Sequence, residues 1–394
     1  MVFPERFSNL PEYAFPRLRS LLDGQKAGGD VIRMSIGEPR HPFPDWVGDI
    51  IADNIDGFGK YPPTDGTPQL RRSIADWIRR RFGATLDPDT NILPLSGTRE
   101  GLFNACIAMC PEKSAQGKQP IVLIPNPFYQ AYGAGALAAG AQPHYVSATA
   151  ATGFLPDYQS LDPEILDRTE IAFICSPSNP QGAVASPQYL SALFALAEKH
   201  DFRIFSDECY SEIYRDTPPA GALEVAHQTG ADPERVFVFH SLSKRSNLPG
   251  MRSGFIAGGA GGIARLKRLR NYGGAPIPLP LQQVSQQAWS DEDHVQSNRA
   301  QYQKKFQAAD RVFASLQGYG APQAGFFLWL PVDDGEAAVT KLWTQTGVLA
   351  LPGAYLSREI DGENPGKKYI RVAMVAPYDE MQLGLTKTRD CLYE

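Results

Sequence analysis

No uninterrupted apolar segment in the 394 residues approaches the roughly 18 residues of a membrane span, which excludes an ordinary transmembrane helix. Five cysteines, Cys106, Cys110, Cys175, Cys209 and Cys391, form neither a disulfide framework nor a metal-ligand cluster, so no metal centre is expected. Cys106 and Cys110 stand one helical turn apart in an apolar stretch, where core packing is the expectation. Basic charge is also short, with 38 Lys and Arg against 43 Asp and Glu and a formal net charge of -5. Nucleic-acid binding favours a basic domain with clustered Lys and Arg, so that partner is not expected. The local runs Arg71-Arg72, Arg79-Arg80-Arg81 and Arg265 to Arg270 are read as solvated helix faces. Met1 to Phe7 lacks the apolar stretch and small-residue cleavage site of a secretory leader, and cytoplasmic residence is expected.

What is present describes an ordinary globular protein of enzyme size: 43% apolar residues, 21% charged residues and 33 prolines. The length allows one large domain and a smaller one. From about residue 70 to 260, amphipathic helices alternate with short apolar strands. Helices are expected over Gln69 to Phe82, Gly97 to Met109 and Pro187 to His200. Strands are expected at Ile121 to Ile124, Gln142 to Val146, Ile171 to Cys175, Phe202 to Ser206, Val236 to Phe239 and Phe255 to Ala257. This alternation predicts an α/β fold whose mostly parallel sheet is covered on both faces. After a Gly/Pro-rich segment at 271–280 comes a largely helical stretch from Leu281 through Phe313. Strands at Phe326 to Leu330 and Tyr369 to Met374 then suggest a smaller α+β unit. The expected division is a large unit over 45–285 and a small one made of 1–44 and 286–394.

In such sheets functional residues gather beyond the carboxyl ends of strands. Asn179, Asp207 and the segment Ser241 to Lys244 all fall there. A lysine flanked by two serines at the end of an apolar strand, with Arg252 eight residues on, suits a covalently held phosphate cofactor. The amine forms an imine, and the hydroxyl and guanidinium groups hold phosphate. Asp207 offers a carboxylate to keep a pyridine nitrogen protonated. Ser96-Gly97-Thr98-Arg99 precedes a helix, where backbone N–H groups favour an anion. Pyridoxal 5′-phosphate is therefore the leading cofactor hypothesis, since its ring stores the electrons released when a bond to an amino-acid α-carbon breaks.

This ordered set resembles that of the fold-type I pyridoxal-phosphate enzymes, specifically the class I/II aminotransferases, over nearly the whole chain. The resemblance implies that Lys244 bonds the cofactor and shuttles a proton, and that Asp207 pairs with the pyridinium. It implies that Asn179 and Tyr210 serve the ring's 3′ oxygen, with Tyr129 stacked on the ring. Thr98, Arg99, Ser241, Ser243 and Arg252 would hold the phosphate. Tyr61 would reach the phosphate of a neighbouring subunit, making the enzyme a homodimer with shared active sites. Arg371 would hold the substrate α-carboxylate, with Gly37 and Asn179 beside it.

Stretches outside this common set resemble, more narrowly, the succinyldiaminopimelate-type members of lysine biosynthesis. They are Asn9 to Leu18, Gly37 to Pro42, Ala288 to Val295, Ala324 to Leu330 and Leu351 to Leu356. That likeness implies amino transfer between glutamate and N-succinyl-2-amino-6-oxopimelate, with Arg33, Arg40 and Arg99 available for the distal anionic groups. Segment Gly273 to Pro278, less polar than such members lead one to expect, is taken to border the substrate. An aspartate, alanine or aromatic aminotransferase is the nearest alternative. A lyase of the same fold, or a regulator with an added DNA-binding segment, is less favoured.

Overall fold

The computed structural model describes residues 5–8, 10 and 12–394, so Met1 to Pro4, Asn9 and Pro11 lie outside the described residues. Its main sheet has seven strands: β1 (Ile92–Leu95), β2 (Ile121–Asn126), β3 (Gln142–Ser147), β4 (Thr169–Cys175), β5 (Arg203–Asp207), β6 (Val236–Ser241) and β7 (Gly254–Gly258). Their spatial order is β1-β7-β6-β5-β4-β2-β3. Strand β7 runs antiparallel to both neighbours, and the remaining pairs are parallel.

Apolar residues alternate between the two faces with the strand period of two. Ala172, Ile174, Ile204, Val236 and Val238 join one hydrophobic cluster, while Ile171, Phe173, Phe205, Phe237 and Phe239 join the other. Both faces are thus covered, which explains why these strands read as continuous apolar runs. One cover includes α1 (Pro68–Phe82), whose Leu70, Ile74, Trp77 and Ile78 form the buried stripe. The Thr67 side chain accepts a hydrogen bond from the Leu70 N–H at its start, a cap worth about 1 kcal/mol, and Gly83 ends it in the left-handed region. The opposite cover includes α2 (Thr98–Met109) and α3 (Gln130–Ala138), while α4 (Pro187–His200) lies with α1 on the first face.

Two arginines in the basic runs are buried, and a third, Arg81, is largely covered in its pair with the buried Glu212 at 2.8 Å. Arg71 is buried and donates to Asp89 and the Gly66 carbonyl at 2.7 Å each. Arg270, in α5 (Ala260–Gly273), is buried and donates to Glu100 at 2.8 Å and to the Thr64 and Pro94 carbonyls at 3.0 Å. Their planar donor forks fasten loops to the sheet edge, a long-range role that helix periodicity does not reveal. Cys106 packs in the core as expected, whereas Cys110 sits partly exposed at the helix end.

The helical stretch after the Gly/Pro segment consists of α6 (Leu279–Ser290) and α7 (Asp293–Val312). Beyond it, β8 (Phe327–Pro331), β9 (Leu351–Pro352) and β10 (Tyr369–Ala373) form an antiparallel sheet with β10 in the middle. A separate hydrophobic cluster gathers this sheet, α7, α8 (Tyr378–Leu392), and Ala14, Leu18, Ile32 and Met34 from the amino-terminal region. None of the described helices is long and apolar enough to cross a membrane.

Candidate active site

Register places the carboxyl ends of the central strands side by side: Cys175 on β4 pairs with Asp207 on β5, and Asp207 pairs with Phe239 on β6. Chain leaving these ends opens onto a cavity of 340 Å³. Apart from Tyr61 and the distal-group candidates Arg33 and Arg40, every candidate site residue lines it: Gly37, Thr98, Arg99, Tyr129, Asn179, Asp207, Tyr210, Ser241, Ser243, Lys244, Arg252 and Arg371. The Tyr61 ring is fully exposed and does not reach the cavity of its own chain.

Lys244 sits in the single helical turn Leu242–Arg245 that follows β6, capped by the Ser241 hydroxyl, which accepts from the Ser243 N–H at 3.1 Å. Its Nζ donates to the Gly37 carbonyl. Burial, with Arg371 and Arg252 nearby, pushes its pKa down to about 8 against a Cys209 contribution in the other direction. About 10% of such an amine is neutral at pH 7, against a few hundredths of a per cent for an ordinary lysine. Uptake of pyridoxal phosphate by the cofactor-free chain should therefore accelerate about tenfold per pH unit below 8 and level off above it. Visible absorbance measures this; a rate still climbing steeply at pH 9 to 10 would mean an ordinary amine.

Asp207 is buried, and its carboxylate accepts from the Tyr132 hydroxyl at 2.7 Å and the Cys209 N–H at 3.2 Å. Burial pushes its pKa up, and those two donors pull it back. No ion pair to Lys or Arg neutralises it among the described residues; His240 acts on it only as a weaker charge. A buried carboxylate facing a cavity without a close cation of its own suits a protonated ring nitrogen. Sequence reading did not single out Tyr132, although it lies only three residues beyond Tyr129, in the first turn of α3. Removing its hydroxyl in Tyr132→Phe takes away a hydrogen bond to a charged group worth about 1.5–3 kcal/mol. Because that bond favours the charged form, its loss raises the Asp207 pKa. Activity should fall roughly ten- to a hundredfold, with the acid limb of the pH profile moved to higher pH; an unmoved limb would count against the assignment.

A cradle of donors occupies another part of the cavity. Ser241 Oγ donates to Ser243 Oγ at 2.9 Å, and Thr98 opens α2 after Gly97, whose φ is 82°. That backbone conformation favours glycine, and a Cβ there would also push the Arg252 guanidinium out of its place. Arg252 donates to the Pro249 carbonyl at 2.9 Å and makes no ion pair with a carboxylate among the described residues. Two hydroxyls, a helix start and an unneutralised guanidinium make a seat that fits a phosphate.

Across from it, Arg371 on β10 is buried, its guanidinium 4.3 Å above the Phe327 ring. It donates to Asn179 Oδ1 at 3.1 Å and the Ser35 carbonyl at 2.7 Å, and among the described residues Nε has no partner and no carboxylate pairs with it. Burial lowers its pKa to about 10, which still leaves it cationic at neutral pH. Gly37 lies against Phe327, where a Cβ would come within 2.5 Å of the ring. Tyr210 packs edge-on against Phe326 and Phe327. At the mouth, Arg99 donates to the Tyr129 hydroxyl at 2.5 Å and the Tyr13 hydroxyl at 3.2 Å. Of the three arginines considered for distal groups, only Arg99 lines this cavity: Arg33 is exposed on a two-residue strand, and Arg40 pairs with Glu380 at 2.6 Å. Segment 273–278 does not line it either; the Ala275 carbonyl accepts from Ser96 next to α2.

An amine of lowered basicity, a buried carboxylate and a phosphate seat at the strand ends of a doubly covered sheet, faced by a buried arginine from the smaller sheet, define a pyridoxal-phosphate-dependent transferase of fold type I. The chain belongs to the aminotransferase class I and II family, whose model matches residues 29–384, and its cofactor is pyridoxal phosphate. It is 33% identical to an LL-diaminopimelate aminotransferase from Desulforudis audaxviator over 98% of this chain and 97% of that one. It is 37% identical to an aminotransferase of known structure from Neisseria meningitidis, with a TM-score of 0.93 over 98% of both chains. A probable N-succinyldiaminopimelate aminotransferase from Thermus thermophilus shares the fold at 23% identity, with a TM-score of 0.85 over 96% of this chain and all of the other.

Proposed function

We propose that the protein acts in the diaminopimelate branch of lysine biosynthesis, moving an amino group between glutamate and N-succinyl-2-amino-6-oxopimelate. What carries this substrate assignment is a convergence: the stretches of narrower resemblance supply Tyr13, Phe15, Gly37, Glu38, Phe327, Leu351 and Leu356 to the cavity wall. These positions are not needed to hold the cofactor, so they are free to encode the substrate. Unblocked LL-diaminopimelate is a second reading, favoured by the Desulforudis relative and by the Glu38 carboxylate on the wall, which suits a distal ammonium.

In this reading the Ser241, Ser243, Thr98, Arg99 and Arg252 side chains hold the phosphate, Asp207 holds a proton at the ring nitrogen, and Asn179 and Tyr210 orient the ring oxygen. The cofactor supplies an electron sink for the bond broken at the substrate α-carbon. Lys244 carries the proton between the reacting carbons, Arg371 fixes the α-carboxylate with two parallel donors, and the apolar walls exclude water. Both half-reactions use one site, so the kinetics are ping-pong. The proposal includes a cytoplasmic homodimer in which Tyr61 reaches the neighbouring subunit's phosphate. It also includes a large cofactor-binding unit over 45–285, with 1–44 and 286–394 forming the small one.

Steady-state rates with N-succinyl-LL-2,6-diaminopimelate, LL-diaminopimelate, aspartate, alanine and phenylalanine as donors test this. We expect the succinylated donor to exceed the last three by at least about a hundredfold in kcat/KM, the discrimination available to a site built around a polar group. Preference for LL-diaminopimelate selects the second reading, and preference for a common amino acid removes both.

A further inference from the structure

A second cavity, of 490 Å³, lies outside the catalytic one between the middle of α7, the loop at Arg40 to Pro42 and the segment Pro377-Tyr378. Its lining includes Arg40, Lys304, Lys305 and Arg311 and no carboxylate. Among the described residues only Arg40 is matched by a carboxylate, Glu380 at 2.6 Å. Among the described residues Lys304 has no polar partner, and Arg311 donates only to the Tyr378 hydroxyl at 3.2 Å. Lys305 is buried, its Nζ held by the Met374 and Ala376 carbonyls at 3.0 and 2.6 Å. Burial and the neighbouring Arg40 depress it to about 7. Lys305 therefore carries only part of a charge at neutral pH, and it is Arg40, Lys304 and Arg311 at the wall of this concave surface that raise the local potential and favour an incoming anion. The exposed amides of Gln301 and Gln307 add neutral donors.

We propose that this cavity binds a small polyvalent oxyanion, most naturally a di- or tricarboxylate that spans Lys304 and Arg311. The short segment that supplies Gly37 and Glu38 to the catalytic cavity supplies Arg40, His41 and Pro42 to this one. His41 Nδ1 also lies 3.0 Å from Asn298 Oδ1, and the Asn298 amide donates to the Lys244 carbonyl at 3.4 Å. Occupancy is thereby linked to the backbone that carries both Gly37 and Lys244, and binding at the two sites is reciprocally coupled.

Calorimetric titration of the holoenzyme with citrate, and separately with inorganic phosphate, tests the proposal, using the wild type and the double variant Lys304→Ala/Arg311→Ala. Both side chains are exposed, so the variant should fold and keep its activity without added anion. Citrate should bind the wild type and weaken at least about tenfold in the variant, since two charge-assisted contacts are lost. Citrate should also change the KM for the amino donor in the wild type and much less in the variant. Stronger binding of phosphate than citrate would retain the site and reassign its occupant. Absence of binding by both anions, binding indifferent to the two substitutions, or simple competition with the amino donor in both proteins would overturn it. Binding lost in the variant but without effect on KM in the wild type would overturn the coupling.

Discussion

Lys244→Ala is expected to lower kcat by at least about 10⁴-fold while the chain remains folded, because one substitution removes both the nucleophilic amine and the proton carrier. Lys244 is the only lysine on the wall of the catalytic cavity among the described residues, so no neighbour can take over. Its short helical turn is held by the Ser241 cap and by packing of Leu242, neither of which involves the amine. Lys244→Arg separates chemistry from structure. Arginine can still donate to the Gly37 carbonyl and keeps the positive charge, yet it offers no neutral amine at working pH. It should be as inactive as the alanine variant; substantial activity in Lys244→Arg would mean that the lysine serves only to hold the loop at Gly37.

Arg371→Leu is the second large effect. Two charge-assisted hydrogen bonds to an α-carboxylate are worth about 3–4 kcal/mol together, so kcat/KM should fall about 10²- to 10³-fold. Every amino donor shares that carboxylate, and the loss should be nearly uniform across a panel. Arg371→Lys should recover only part of it, since an ammonium is a point charge where the planar guanidinium matches a carboxylate with two prongs. Circular dichroism and cofactor content check that the β10 strand and the cofactor seat survive the loss of the Arg371–Asn179 hydrogen bond. A loss confined to donors with a second carboxylate would move Arg371 from the α-carboxylate to the distal end of the substrate.

Much of the fold was legible because the central strands are short, apolar and β-branched, and because their alternate residues feed two different cores. Helix Pro187–His200 has the bounds expected from sequence, its start marked by the Ser186-Pro187 pair; the structure ends it with Asp201 in the left-handed region. The reversal of β7 against β6 was not legible, as strand direction depends on the path of the connection, here the turn carrying Lys244 and Arg252, and not on hydrophobic pattern. The buried states of Arg71 and Arg270 were also hidden, because their partners Asp89 and Glu100 stand 18 and 170 residues away.

In the site, residues on the turns just after strands were readable, for strand ends can be found from local pattern. The contacts that couple them were not. Tyr132 reaches Asp207 across 75 residues, and Arg371 meets Asn179 across 192. Tyr13 joins Arg99 over 86 residues, with no signal in either segment. Arg40 illustrates the converse: its charge and its place near Gly37 suggested a substrate role, but its ion pair with Glu380 turns it towards the second cavity.

The most direct test of the substrate assignment is a half-reaction followed by the holoenzyme's visible absorbance, with N-succinyl-LL-2,6-diaminopimelate added and no keto acid present. The account predicts rapid loss of the lysine-bound cofactor band at low substrate concentration, restored on adding 2-oxoglutarate. An unchanged spectrum with this compound, beside prompt conversion by aspartate, alanine or an aromatic amino acid, would contradict it.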